Sequence, residues 1–330
     1  MNQFSFPHGI IGPDAFHSLP EICRPYGETL ALIGSRSGLA GAGREIQNAC
    51  LWKLYLTGTF VCPEKSTRSS AAALTSIKEI RSADMLFAIG GTEEMDLVKY
   101  AGMFLHKPVM AVPVLADGCS SSNSLCLMEE NGTRKPVQCT KAAHVFLRTD
   151  LLVHTPPALL QQGLSRAIYA LAEVLAETPN SFYGHLGASC AREILAHLMS
   201  TGLKATKERG HEALAEFCTD ITYFSGLPAE EISEPRLSRR LPLLPDGLLP
   251  WVSLYLLTLS GQLAVRDELL QFCDALSLPC HLSELPISKT ILRSRLEGLI
   301  PQHTTPDAKT EWNQTVAELE NAAQRIIPTK

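Results

Sequence analysis

Met85-Leu86-Phe87-Ala88-Ile89-Gly90-Gly91-Thr92-Glu93-Glu94-Met95-Asp96-Leu97-Val98-Lys99 decides the fold. A short apolar run without polar alternation reads as a strand buried on both faces. Two glycines break it, and a helical pattern follows at once. Met95, Val98 and Met103 share one helical face, and Leu97, Gly102 and Leu105 widen it. A buried strand thus meets a helix through a turn without side chains. That arrangement brings helix N-terminal N–H groups within reach of a phosphate, because no Cβ keeps the ligand away. The bland alternative is a plain Gly-Gly turn. Next come the apolar segment Lys107 to Pro113 and a polar loop of small residues, Asp117-Gly118-Cys119-Ser120-Ser121-Ser122-Asn123. Two successive strand ends with such loops are how an open α/β sheet builds a ligand crevice.

Outward from this stretch, strand and helix alternate. Phe4 to Pro13 reads as an edge strand into a turn, and Asp14 N-caps a helix to Arg24. Thr29 to Arg36 is a second strand ending in Gly34-Ser35-Arg36. Helices follow over Gly38–Tyr55 and Ser69–Arg81, separated by a strand at Thr59–Cys62. Val109–Val112 and His144–Leu147 are further strands, with a polar excursion between them at Glu129 to Pro136. Residues 1–150 therefore form an α/β unit on a mostly parallel sheet.

From Pro156 onward the pattern is helical. The segments are Pro157–Glu177, Ala188–Thr201, Thr206–Ser225, Leu248–Val265, Arg266–Leu276, Lys289–Glu297 and Pro306–Ile326, with an Arg-rich patch at 234–242. Residues 151–330 thus read as an all-helical domain. Leu248–Val265 carries no charge, but Pro250 and Gly261 interrupt it, so it reads as a core helix and not a membrane span.

Composition excludes several classes. The chain has 330 residues, 45% hydrophobic and 19% charged, with a net charge of −5. That balance, without a basic run, argues against nucleic acid as a partner. The ten cysteines show no CxxC spacing, so zinc-finger and disulfide-framework readings fail. Scattered thiols and an N-terminus without a basic stretch leading into an apolar core point to a cytoplasmic protein.

These motifs together resemble the iron-containing alcohol dehydrogenase superfamily, above all its glycerol dehydrogenase and glycerol-1-phosphate dehydrogenase branches, with dehydroquinate synthase more distant. Gly12-Pro13 matches the family's Gly-Pro turn. Gly90-Gly91-Thr92, Asp96 and Lys99 stand at its GGG-x-x-x-D-x-x-K phosphate loop, with Thr92 in place of the third Gly. Val112-Pro113-Val114 stands at its V-P-T segment, with Val114 in place of a Thr whose hydroxyl could hold the cofactor, and Asp150 with Pro156-Pro157 matches its entry to the helical domain.

The resemblance implies an NAD- or NADP-dependent oxidoreductase, dimeric, acting on a small polyol, alcohol or carbonyl substrate. Gly34, Ser35, Arg36, Gly90, Gly91, Thr92, Asp96, Lys99, Val114 and Leu115 would contact the cofactor, and Arg36 would favour a 2′-phosphate. Simpler readings stand beside these: a solvated loop for Arg36, and a surface ion pair for Asp96 with Lys99.

The family holds a catalytic divalent metal on one Asp and two His. Aligned with it, Arg166 stands where the Asp ligand lies and Asp246 where one His lies. The segment of the other His is absent between Gly226 and Leu244. An arginine cannot deprotonate to ligate, so no metal is expected. Arg166 and Asp246 would pair across the cleft instead. Without the metal, Asp117 or Asp246 would have to serve as general acid/base. Cys119 and Arg166 would line the substrate side, with Cys119 either a nucleophile or a small filler. The contrasting expectation is a non-catalytic relative that binds a nucleotide or small anion.

Overall fold

A computed structural model describes residues 8–63, 65–130, 133–176, 182–208, 210–228 and 246–280. Its first half is β1 (His8–Ile11), α1 (Leu19–Cys23), β2 (Thr29–Gly34), α2 (Arg36–Gly38), α3 (Arg44–Cys50), β3 (Tyr55–Val61), α4 (Arg68–Ser76), α5 (Lys78–Ser82), β4 (Met85–Gly90), α6 (Thr92–Leu105), β5 (Val109–Pro113), β6 (Leu125–Glu130), β7 (Thr133–Gln138) and β8 (His144–Leu147). Every later described element is helical: α7 (Thr149–Leu152), α8 (Pro157–Ala176), α9 (Phe182–Glu208), α10 (His211–Thr222), α11 (Leu249–Leu259) and α12 (Leu263–Ala275). This is the expected α/β domain followed by a helical domain. None of the described helices is long and apolar enough to cross a membrane.

Six strands form one sheet in the order β1-β8-β5-β4-β2-β3, and every pairing in it is parallel. Every residue of β4 and β5 is buried, because helices cover both faces. The strand period of two then sorts the apolar residues into two cores. Leu30, Leu32, Met85, Phe87, Ile89, Met110, Val112 and Phe146 face one way, onto α1 and α3. Ala31, Ile33, Leu86, Ala88, Val109, Ala111, Val145 and Leu147 face the other. There they share a continuous core with α6 and with Leu164, Ile168, Leu195, Phe217 and Leu257 of the helical domain.

The chain leaves β2 outward to β3 and returns past β2 to β4. The helices after β2 and β4 consequently go to opposite faces: Ile46 of α3 lies in one core, Met95 and Val98 of α6 in the other. The carboxyl ends of β2 and β4 mark the switch point where open α/β sheets bind ligands. Ser35 N–H donates to Ile89 O at 2.9 Å and keeps the two ends paired.

The structure corrects several sequence-based expectations. The helix expected from Asp14 starts only at Leu19, after a turn. Ser69–Arg81 is two helices, because Ile77 adopts an extended backbone. Leu248–Val265 breaks at Gly261, whose φ of +72° is left-handed. The polar excursion at Glu129–Pro136 is an antiparallel hairpin, β6–β7, with Pro136 opposite Leu127. The expected helices Lys289–Glu297 and Pro306–Ile326 and the 234–242 patch lie outside the described residues.

Gly34 marks the tightest approach at the switch point. A Cβ there would sit 2.1 Å from the Ile89 carbonyl oxygen, a backbone atom that cannot step aside. Gly34→Ala is therefore expected to cost about 1–3 kcal/mol as an overpacking change, read as a lower urea midpoint with unchanged m-value.

Candidate functional site

The candidate site is the crevice at the carboxyl ends of β2, β4 and β5. On the β2 side, Ser35 is extended and its Oγ accepts from Gly38 N–H at 3.1 Å, capping α2. Its hydroxyl is thereby engaged in starting a helix, and the Arg36 side chain is exposed. On the β5 side, Val114 N–H donates to Gly90 O at 2.9 Å, and Ala116 N–H donates to Thr155 Oγ1 at 2.9 Å. Val114 and Leu115 are half-buried beside the Gly-Gly turn. Gly163 of α8 lets the helical domain close on this loop, since a Cβ there would lie 2.2 Å from Ala116 O.

The start of α6 has its own acceptors. Thr92 N–H donates to Asp117 Oδ1 and Oδ2 at 3.0 and 3.1 Å, and Thr92 Oγ1 donates to Oδ1 at 3.0 Å. Gly91 N–H donates to Glu94 Oε2 at 2.8 Å. Two carboxylates thus lie where the partial positive charge of a helix N-terminus attracts an anion. They also fill the space the glycines leave: a Cβ at Gly90 would come within 2.5 Å of Glu94 Oε2, and one at Gly91 within 2.5 Å of Asp117 Oδ2.

Arg166 Nη1 donates to Asp117 O at 2.8 Å and holds the loop from the α8 side. Burial pushes the Asp117 carboxyl up, against the Thr92 N–H and the Arg166 charge that pull it down. Burial raises Glu94 as well, and the like charge of Asp117 adds to that rise.

Asp117, expected as a general acid/base, caps the start of α6 through Thr92. Glu94 was missed, although a Glu at the third helical position is the mark of a capping box.

Asp96 and Lys99 are not a surface ion pair. Lys99 is fully buried and Asp96 is 3% exposed. Lys99 Nζ donates to Ser120 O, Asn123 O and Leu125 O at 2.6, 2.9 and 2.9 Å. Asp96 Oδ1 accepts from Ser120 Oγ and lies 3.9 Å from Lys99 Nζ, while Oδ2 accepts from Leu127 N–H at 2.9 Å. The pair therefore grips the loop after β5 and the first strand of the hairpin. Its polar atoms point into that loop, and the cofactor contact expected of them is not what these bonds serve. Ser121 Oγ adds a tie to the helical domain by donating to Thr222 O at 2.9 Å.

Cys119 lies in the loop that Asp96 and Lys99 grip. It is buried, burial raises its thiol, and Asn123 Nδ2 lies 3.6 Å from its Sγ. Asp246 opens a short 3-10 turn, but its side chain, and so the expected pair with Arg166, lies outside the described residues. Among the described residues no three His, Cys, Asp or Glu converge in a metal-holding group.

Comparison with known proteins bears on this arrangement. Residues 10–156 match the family model of iron-containing alcohol dehydrogenases. A maleylacetate reductase from Pseudomonas knackmussii is 23% identical over 208 residues, 62% of this chain. The match spans only about half, 55%, of that relative's length. Among solved structures, a probable glycerol dehydrogenase from Sinorhizobium meliloti is 16% identical, with a TM-score of 0.76, covering 99% of this chain and 100% of the other. A maleylacetate reductase from a Rhizobium species is 18% identical, with a TM-score of 0.74, over 96% of this chain and 98% of the other. At such identities these structures show a shared fold.

Two outcomes follow for stability. Lys99→Met leaves Asp96 buried without its cation, so a loss of about 3–5 kcal/mol is expected, measured by chemical denaturation. The carboxyl groups of Glu94 and Asp117 keep their protons in the folded chain at pH values where the unfolded chain has lost them. Their contribution therefore declines as pH rises from the ordinary carboxylate range through the raised folded values. Glu94→Gln retains an acceptor for Gly91 N–H and is expected to flatten that decline in a series of urea midpoints against pH.

Proposed function

Because residues 10–156 match the family model of iron-containing alcohol dehydrogenases and the chain shares the fold of a probable glycerol dehydrogenase and a maleylacetate reductase, we propose that it is an alcohol- or polyol-dehydrogenase-like oxidoreductase. Its substrate is a small hydroxylated or carbonyl molecule, and NAD or NADP is the cofactor class. The observation that supports this reading is the switch point itself. The ends of β2, β4 and β5 converge there, and α8 closes on the loop carrying Asp117. That is the geometry in which a nucleotide and a substrate meet between a sheet and a second domain. Arg166, a fixed cation that cannot ligate, argues for chemistry without a metal at its position.

The nucleotide carries a condition. The N–H groups of Gly91 and Thr92 already donate to Glu94 and Asp117, so the phosphates of NAD or NADP do not reach the Thr92 N–H while Asp117 holds its place. The same observation favours a second reading, a non-catalytic relative that keeps the fold and serves as a binding or structural partner. In either case the proposal includes a cytoplasmic dimer. The outer edge of the sheet supports the dimer, since β3 and the turn before it expose Trp52, Tyr55, Leu56 and Val61.

Calorimetric titration of metal-stripped protein with NAD(H) and NADP(H), with and without zinc, separates these readings. Weak binding is expected in the native chain. Asp117→Ser is expected to tighten it by about 1.5–3 kcal/mol, on the order of tenfold to a hundredfold, by freeing a donor for a charged acceptor. Zinc is expected to change neither value. Absence of binding in both forms sinks the oxidoreductase reading in favour of the non-catalytic one. Tight native binding that Asp117→Ser leaves unaltered sinks the closed crevice, and binding that requires zinc restores a metal to the site.

A further inference from the structure

Cys126 and Cys139 lie outside the machinery of the crevice. Cys126 is on β6, one residue past the first hairpin pair, Leu125 with Gln138. Cys139 follows the last residue of β7, and its N–H donates to Ser124 O at 2.8 Å, closing the base of the hairpin. Both are buried, Cys126 completely and Cys139 to 7% exposure. Their Sγ atoms are 2.7 Å apart, within an ångström of the S–S bond length of about 2.05 Å. A disulfide at this place demands little movement of the strands. The residues around it are already fixed, since Leu125 O accepts from Lys99, Leu127 N–H donates to Asp96, and Gln138 Nε2 donates to Ser124 Oγ at 2.7 Å.

We propose that Cys126 and Cys139 form a redox pair that closes to a disulfide across the base of the hairpin when the chain meets hydrogen peroxide. The order of events follows from exposure. Cys139 retains some access, so its sulfur attacks the peroxide oxygen, becomes a sulfenic acid and releases water. The Cys126 sulfur then attacks the Cys139 sulfur. The S–S bond forms, the S–O bond breaks, and the hydroxyl leaves with the Cys126 proton as a second water. Two thiols lose two hydrogens, and one peroxide becomes two waters. Burial pushes the Cys126 thiol up, which suits the resolving partner more than the first to react. The bond would brace β6, the strand that Asp96 and Lys99 hold beneath the Asp117 loop. Reduction by a small thiol reverses it. The proposal rests on the hairpin alone and is independent of the reading of the crevice.

The test treats the reduced full-length protein with hydrogen peroxide under native conditions. The remaining thiols are alkylated after denaturation, and the product is digested with trypsin. Arg134 lies between the two cysteines, so cleavage there places them on separate peptides. The expected product is one cross-linked peptide pair, lighter by two hydrogens than its parts and released by dithiothreitol. Oxidation is also expected to raise the thermal midpoint of the native chain, by restricting its unfolded state. Cys126→Ser and Cys139→Ser each abolish the cross-link and that shift. Should a variant fail to fold, the cross-linked pair in the native chain still decides. Full alkylation of both cysteines under peroxide that oxidises the exposed Cys190 overturns the proposal. So does Cys139 recovered as a sulfinic acid beside a free Cys126, or either cysteine linked elsewhere.

Discussion

Two backbone N–H groups at the start of α6 require acceptors, and much of the crevice is arranged around how they obtain them. A helix N-terminus placed between a buried strand and the helical domain is screened from water, so leaving its donors unmet would cost about 1–3 kcal/mol each. In an open nucleotide crevice a ligand can meet that need. Here the chain meets it internally, with Glu94 reaching back to Gly91 and Asp117 reaching across from the β5 loop to Thr92. The second contact spans two strand ends, so the loop carrying Asp117 must be held in place. Lys99 and Asp96 do that from below and Arg166 from the side. The buried ammonium, the buried carboxylate and the guanidinium are parts of one scaffold for one loop.

Desolvation makes the arrangement costly as well as firm. Asp96 is raised by burial despite a nearby lysine and two hydrogen bonds, and Asp117 is raised despite Thr92 and Arg166. Each ionised group is tolerated because its lone pairs or protons are committed. Such a network specifies a single loop geometry more than it adds net stability. It also couples the sheet to the helical domain, since the loop it fixes touches α8 through Gly163 and the end of α10 through Thr222.

Much of this was legible in the sequence, and the rest was hidden for identifiable reasons. Met85–Ile89 and Val109–Val112 announced buried parallel strands, because a strand covered on both faces has no polar residue to interrupt it. The Gly-Gly turn and the helix after it followed from the same stretch. The hairpin was not legible: only Cys126 and Met128 of β6 are fully buried, while Glu129, Glu130, Arg134, Lys135 and Pro136 give the segment the composition of a loop. Lys99 was misread because a lysine is ordinarily a solvent residue. Its partners are carbonyls far along the chain, and backbone acceptors leave no trace in residue identity. Asp117 was marked as a functional carboxylate, and the sequence could not say that Thr92, 25 positions earlier, would be its partner.

That last pairing governs what the crevice can hold. A diffusing phosphate and a tethered carboxylate seek the same donors. The tethered one is present at a high effective concentration, set by a loop that three other residues immobilise. A ligand therefore gains the Thr92 N–H only by its preference over Asp117, while also displacing Asp117 from a bond with the Thr92 hydroxyl. Gly90 and Gly91 leave room at the start of α6, and that room is filled from within by Glu94 and Asp117. The sheet order, the switch point and the contact with α8 form the crevice, and access to the helix N-terminus within it depends on where two carboxylates, Glu94 and Asp117, rest.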